Sequence, residues 1–262
     1  MSQSTCWDID FLKSFSQRVL IILNQPFSFQ LLELLWNNSR WRYCADGGAN
    51  RLYDLLRDKN KIDSDSEELL NLYKPDLIKG DLDSIRDDVK DFYSSKGVSV
   101  LKDEDQDSTD LMKCVNEVKQ MEKKEGREYE IVILGGLTGR LDQTIHTLSY
   151  LHKLRKERSR VFAATDDNIG WVLETGEHII HIDHSLLGQT CGLLPIGIDE
   201  TVLTTRGLKW NLTNHPSSFD GLVSTSNHLI PEEDSVYIKT TKPIWWTVEL
   251  RDLKEREYQT AK

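Results

Sequence analysis

Apolar and polar positions follow two different rhythms in this chain. Over the first ~165 residues, short apolar runs alternate with segments of helical spacing, the pattern of a parallel sheet interleaved with helices. Arg18 to Leu23, Arg42 to Ala45, Leu77 to Lys79, Val98 to Lys102 and Ile131 to Leu134 read as strands, with Arg160 to Ala164 as the last strand of this half. Phe29 to Trp36, Arg51 to Arg57 and Asp110 to Met121 read as helices. So does the segment after Arg140, where Leu141, Ile145, Leu148 and Leu151 fall on one face. From about residue 168 the helical spacing stops and β-rich runs replace it: His178 to Ile182, Thr201 to Thr205, Leu222 to Ser226, Val236 to Thr240 and Ile244 to Leu250. Gly and Pro punctuate them, which predicts an antiparallel β-sandwich. The expected fold class is therefore α/β, with an N-terminal parallel-sheet domain over residues 1–167 and a C-terminal antiparallel β-sandwich domain over residues 168–262.

In the first half, clusters of Gly, Asp and Asn fall just after strands and just before helices. Open parallel sheets bind ligands in the crevice at the carboxyl ends of their strands, so several such clusters on one edge point to a site. Two of the clusters are acidic: Lys79-Gly-Asp-Leu-Asp-Ser84 and Asp105-Gln-Asp-Ser-Thr-Asp110. Carboxylates this dense repel one another unless a cation lies between them. Magnesium suits oxygen ligands and shares its remaining positions with water and substrate phosphates. Asp81 and Asp83 are two apart, which on extended backbone puts both side chains on one side. For any single residue a local role competes: a turn acceptor for Asp81, a helix cap for Asp107 or Thr109, a helix-dipole contact for Asp110. The cluster as a whole favours a metal–nucleotide enzyme.

Two further loops have the makings of phosphate contacts. Asp46-Gly-Gly-Ala-Asn50 places glycines where backbone can approach an anion, ahead of a helix N-terminus. Gly135-Gly-Leu-Thr-Gly-Arg140-Leu-Asp142 adds an arginine able to grip phosphate with its planar fork, the plain alternative being an exposed strand-to-helix turn. In the second half Trp210, Ser224, Ser226 and Asn227 offer an aromatic face and hydrogen-bonding groups. From residue type alone Trp210, Trp245 and Trp246 read as sandwich core. The spacing of His146, His178, His181 and His184 suggests no ligand set.

Composition narrows the field. The formal net charge is −10 in 262 residues, so no excess of Lys and Arg is available for nucleic acid. The four cysteines are scattered, without the paired spacing of a zinc site or a disulfide framework, and reduced thiols in a cytoplasmic protein are expected. The run Val19 to Leu23 is too short to span a bilayer, no basic-then-apolar signal segment is visible, and no membrane association is expected. The charge-rich stretches Asn60 to Glu68 and Lys119 to Glu130 read as solvated connections.

Taken in order, these motifs resemble those of eukaryotic thiamine pyrophosphokinases. The resemblance rests on Cys44-Ala-Asp-Gly-Gly-Ala-Asn-Arg-Leu-Tyr-Asp54, Gly80-Asp-Leu-Asp-Ser-Ile85, Asp105-Gln-Asp-Ser-Thr-Asp110, Gly135-Gly-Leu-Thr-Gly-Arg-Leu-Asp-Gln143, Gly207-Leu-Lys-Trp-Asn-Leu-Thr213 and Leu222-Val-Ser-Thr-Ser-Asn227. It implies transfer of the diphosphoryl group of ATP to thiamine with Mg²⁺, giving AMP and thiamine diphosphate, in a homodimer with shared active sites. Carried onto this chain, it implies Asp81, Asp83 and Asp110 as metal ligands and Asp107 as a catalytic residue that binds metal or orients the hydroxyl. Asp46, Gly47, Gly48, Asn50, Gln106, Thr109, Arg140 and Asp142 would line the nucleotide pocket. Trp210, Ser224, Ser226 and Asn227 would hold thiamine, which reverses the core reading of Trp210. A nucleotide sensor without turnover and a nucleotidyltransferase releasing pyrophosphate are the competing expectations.

Overall fold

The structure is a computed structural model that describes residues 4–60 and 68–251; most of the charge-rich stretch Asn60 to Glu68 lies outside the described residues. Its strands begin with β1 (Thr5–Trp7), β2 (Ser16–Ile22), β3 (Ser39–Ala45), β4 (Leu77–Gly80), β5 (Ser99–Lys102), β6 (Glu130–Leu134), β7 (Val161–Ala164) and β8 (Asn168–Leu173). They continue with β9 (Gly176–His181), β10 (Leu187–Leu194), β11 (Glu200–Arg206), β12 (His215–Ser218), β13 (Ser224–His228), β14 (Ser235–Thr240) and β15 (Ile244–Leu250). The helices are α1 (Phe29–Asn37), α2 (Gly48–Asn60), α3 (Glu68–Leu72), α4 (Asp87–Ser95), α5 (Asp110–Glu125) and α6 (Leu141–Leu154). The chain divides into two compact units, one of Phe11–Thr138 and one of Met1–Asp10 with Gly139–Lys262.

Within Phe11–Thr138, five parallel strands lie in the order β6-β2-β3-β4-β5. β2 is paired on both sides, by β6 and β3, and Val19, Leu20, Ile21 and Ile22 are all fully buried. That continuous apolar run is what a strand covered on both faces requires. Ser28 caps α1 by accepting from the Leu31 N–H at 3.2 Å. Gly126 ends α5 at φ 68, the left-handed C-terminal position that glycine occupies without a Cβ clash. At the amino end of β2 the buried Arg18 guanidinium donates to Glu130 Oε2 through Nε (3.1 Å) and Nη2 (2.9 Å), and to the Asn38 carbonyl through Nη1 (2.8 Å). The parallel register leaves the carboxyl ends of all five strands on one edge, where the Gly- and Asp-rich loops emerge.

In the other unit the strands form two sets, β13-β10-β15-β8-β7, all antiparallel, and β1-β9-β14-β11-β12. Trp7 of the second set meets Trp171 (5.8 Å between ring centroids) and Phe162 (6.2 Å) of the first. The run Arg160 to Ala164 is a strand, but it pairs antiparallel with β8. The strands absent from the hydrophobic pattern are β1, β8, β10 and β12. β12 is His215-Pro-Ser-Ser218, with no apolar alternation to find, and β1 is three residues held by parallel pairing to β9. His178 is buried: its Nδ1 accepts from Trp7 Nε1 at 3.0 Å, and its Nε2 lies 2.7 Å from the Glu174 carbonyl. Those bonds fix a neutral tautomer, and burial lowers the His178 pKa.

Candidate active site

The Phe11–Thr138 unit concentrates carboxylates where β3 and β4 end. Asp46 follows β3 and is fully buried, with backbone in the left-handed region at φ 41. A non-glycine there is uncommon and persists where surrounding bonds impose it. Asp46 Oδ2 accepts from the Ser84 N–H and Oδ1 from the Ile85 N–H, each at 3.0 Å. The carboxylate after β3 thus pins the loop after β4. Asn50, one turn into α2, repeats the arrangement: Nδ2 donates to the Ser84 carbonyl (2.8 Å) and Oδ1 accepts from the Arg86 N–H (3.0 Å). Both ends of its amide are therefore committed to holding that loop.

Asp81 and Asp83 sit on the pinned loop. They do not share a side through extended backbone, because Leu82 between them is at φ 63. Asp81 Oδ1 instead accepts from the Asp83 N–H (3.1 Å), and Ser84 Oγ donates to Asp83 Oδ1 (2.8 Å). The turn brings the two carboxylates together all the same. One oxygen each from Asp46, Asp81 and Asp83 lie within 4.8 Å of one another. Three hard oxygen donors at that spacing fit a magnesium ion. Asp110, at the start of α5, accepts from the Asp81 N–H through Oδ1 (3.3 Å), and Lys113 one turn on places its ammonium 3.6 Å from Asp110 Oδ1.

The charge balance shows in the titration of these groups. Burial pushes the Asp46 carboxyl up to about 6, and the Asp110 and Asp81 carboxylates add to the rise against the N–H bonds of Ser84 and Ile85. Burial, then Asp81, also raises Asp110. Asp81 goes the other way, lowered chiefly by the Asp83 N–H, with the Lys113 ammonium contributing.

The glycines around this cluster are there for space. A Cβ on Gly80 would stand 2.6 Å from Asp46 Cβ and 2.8 Å from Asp110 Oδ1, and one on Gly48 would collide with the Ile22 carbonyl. Gly47 packs between Asn24 and Ser84. In the second acidic loop Asp105, Gln106 and Asp107 are exposed. The Asp107 N–H donates to Asp105 Oδ1 (2.9 Å), and Gln106 Nε2 to the Glu104 carbonyl (3.4 Å). Thr109 stands at the N-cap of α5, but its hydroxyl makes no capping bond and, among the described residues, is a buried oxygen without a partner.

Three polar residues of this unit were not legible as site residues. Gln25 Oε1 accepts from the Gly136 N–H (2.7 Å) and the Thr138 hydroxyl (3.2 Å), and so shapes the loop where Gly135 and Gly136 adopt φ of 103 and 87. Asn24 Oδ1 accepts from Arg51 Nε (3.1 Å). Both follow β2 directly, the same strand-end position that marked the other clusters. Lys113 had a subtler signal, a lysine beside the apolar stripe Leu111, Cys114, Val115 and Val118.

In the other unit Arg140 and Asp142 pair with each other, Nε to Oδ1 at 3.1 Å and Nη2 to Oδ2 at 2.6 Å, with both side chains mostly exposed. Trp210 is 53% exposed and is not core, whereas Trp245 and Trp246 are buried as expected of core residues. Asn227 fixes Trp210, accepting from its N–H (3.2 Å) and donating to its carbonyl (2.8 Å). The indole already carries a cation, Lys209 Nζ at 4.6 Å from the ring centroid, and the His228 ring lies 5.0 Å away. Ser224 is buried at the start of β13, and Ser226 is exposed at φ 56.

Comparison with known proteins identifies a family. Residues 32–163 match the family model "Thiamin pyrophosphokinase, catalytic domain", and residues 177–245 match "Thiamin pyrophosphokinase, vitamin B1 binding domain". The chain is 40% identical over 235 residues to thiamine pyrophosphokinase 1 of Oryza sativa subsp. japonica, covering 89% of this chain and 87% of that one. It is 31% identical to thiamine pyrophosphokinase of Saccharomyces cerevisiae, covering 88% and 85%. Among solved structures, yeast thiamin pyrophosphokinase superposes with a TM-score of 0.82 at 28% identity, covering 95% and 92% of the two chains. The Candida albicans enzyme gives 0.81 at 26%, covering 96% and 95%.

Proposed function

The chain belongs to the thiamin pyrophosphokinase family, an enzyme that forms thiamine diphosphate at the expense of ATP, and from that premise we propose how its residues divide the work. The primary hydroxyl of thiamine attacks the β-phosphorus of ATP. The bond from that phosphorus to the α–β bridging oxygen breaks, AMP leaves with the electron pair, and the hydroxyl proton is released. Transfer of this kind asks for alignment and charge neutralisation more than for covalent help.

Asp81, Asp83 and Asp110 would hold Mg²⁺, with Asp46 completing the acidic lining. The observation that supports Asp81 and Asp83 is the convergence of their oxygens with one of Asp46 within 4.8 Å; Asp110 is not part of that triad and adjoins it through its bond from the Asp81 N–H. A bound Mg²⁺ neutralises phosphate charge and aligns the diphosphoryl group. Gly47 and Gly48 let the backbone approach the phosphates. Asp46 and Asn50 serve the nucleotide indirectly, by fixing the loop of residues 81–86. Gln106 and Thr109 would contact the nucleotide, Arg140 and Asp142 are proposed as further nucleotide contacts, and Asp107 would orient the attacking hydroxyl. Trp210 stacks on the cationic thiazolium, with Ser224, Ser226 and Asn227 around it; the 53% exposure of the Trp210 side chain, its backbone fixed by Asn227, and the Lys209 ammonium already over its ring support this. Residues 1–167 carry the nucleotide and metal, and residues 168–262 the thiamine.

We also propose a cytoplasmic homodimer with shared active sites that binds neither nucleic acid nor membrane. All four cysteines are free thiols, and no described helix is long and apolar enough to cross a membrane. Product analysis tests the reading. Incubation with Mg-ATP and thiamine should give equal amounts of AMP and thiamine diphosphate. ADP with thiamine monophosphate, pyrophosphate release, or ATP binding without a thiamine product would each contradict it.

A further inference from the structure

Lys113 is 1% exposed, although a buried ammonium is costly unless anions surround it. It also lies in the first turn of α5, where the helix dipole disfavours a cation. What it meets there are two carboxylates, Asp110 Oδ1 at 3.6 Å and Asp81 Oδ2 at 3.9 Å. Asp110 Oδ1 also accepts from the Asp81 N–H at 3.3 Å. Asp81 is thus held at two points, its backbone by Asp110 and its carboxylate by Lys113. Burial keeps the ammonium away from substrate, so its influence runs through Asp81.

We propose that Lys113 is a positioning residue: a resident counter-cation that, with Asp110, fixes Asp81 and keeps the acidic loops assembled before a metal ion arrives. The proposal rests on Asp81 being a metal ligand. The ammonium meets Asp81 and Asp110, while Asp46 and Asp83 converge on Asp81 without an ion pair to Lys113, so carboxylate charge remains for a divalent ion. Without Lys113 the apoprotein carries more uncompensated charge, and Mg²⁺ relieves more of it. Asp81 then binds the ion but presents it out of place.

The test uses the full chain as wild type, Lys113→Met and the charge-balanced double variant Lys113→Met/Asp110→Asn. Melting temperatures are measured in chelator and in saturating Mg²⁺, and kcat and the KM for thiamine by AMP release. Lys113→Met should melt below wild type in chelator and gain more from Mg²⁺ than wild type does. The double variant should recover the chelator-state melting temperature. Turnover of Lys113→Met should fall ~10–100-fold, the scale of a displaced catalytic group, while the KM for thiamine stays within about 2-fold. If Lys113→Met does not fold but the double variant does, charge compensation is equally supported. Wild-type turnover in Lys113→Met would overturn the proposal. So would a melting-temperature loss that is the same with and without Mg²⁺, or one that the double variant does not relieve. No Mg²⁺ stabilisation of wild type would instead overturn the metal assignment beneath it.

Discussion

Replacing Gly80 by alanine adds one methyl group to the most crowded point of the acidic site. The new Cβ would lie 2.6 Å from Asp46 Cβ and 2.8 Å from Asp110 Oδ1. Ordinary carbon contacts begin near ~3.5 Å, so the neighbours must retreat by roughly 1 Å. Asp46 is not free to do so, since both its oxygens accept backbone N–H bonds at 3.0 Å. Asp110 is tied to the Asp81 N–H and the Lys113 ammonium. Overpacking of this kind costs about 1–3 kcal/mol, and a weakened Asp46 bond adds about 1 kcal/mol. A 1 Å displacement of the groups that align the phosphates should lower kcat by ~100-fold. Urea unfolding reads the first effect, and AMP and thiamine diphosphate production the second. A Gly80→Ala protein with wild-type stability and wild-type turnover would refute the crowding argument, because the methyl group would then have found room without moving either carboxylate.

Asp81→Asn should abolish turnover while the protein still folds, with the urea midpoint lowered only as far as Asp110 alone fails to compensate the Lys113 ammonium; a folded variant with normal product formation would remove Asp81 from the metal site. Asp46 makes metal-free stability depend on pH. Its folded pKa, about 6, lies above the unfolded value of 3.8, so the protonated form favours folding. That contribution is complete below the unfolded value and is lost as the pH rises through about 6, at no more than about 1.4 kcal/mol per pH unit. Unfolding in chelator across this range should show the decline, and Mg²⁺ should abolish it; a flat profile would mean that Asp46 ionises freely. Trp210→Ala should raise the KM for thiamine ~10-fold, the scale of a cation–π contact, with little loss of stability at a side chain 53% exposed. An unchanged KM would exclude the indole as the thiazolium platform.

Local chemistry was enough to locate much of this protein. The apolar runs of β2, β3, β4 and β6 are long enough and flanked clearly enough to read as parallel strands, and parallel strands put their following loops on one edge whatever their order. The acidic and glycine-rich loops could therefore be placed at a common edge without coordinates. Tertiary structure decided the rest. Nothing local says that Asp46 reaches across to the N–H groups of Ser84 and Ile85, or that Leu82 adopts a left-handed backbone and turns Asp83 back beside Asp81. Lys113 could be read as a solvated lysine until the packing of α5 buried it against two carboxylates. β1 owes its existence to pairing with β9, some 170 residues away, as Trp7 owes its buried indole N–H bond to His178. Periodicity is set by neighbours in sequence and so is legible there. A metal site or a structural histidine is set by which distant groups a fold brings within bonding distance, and that depends on the whole chain.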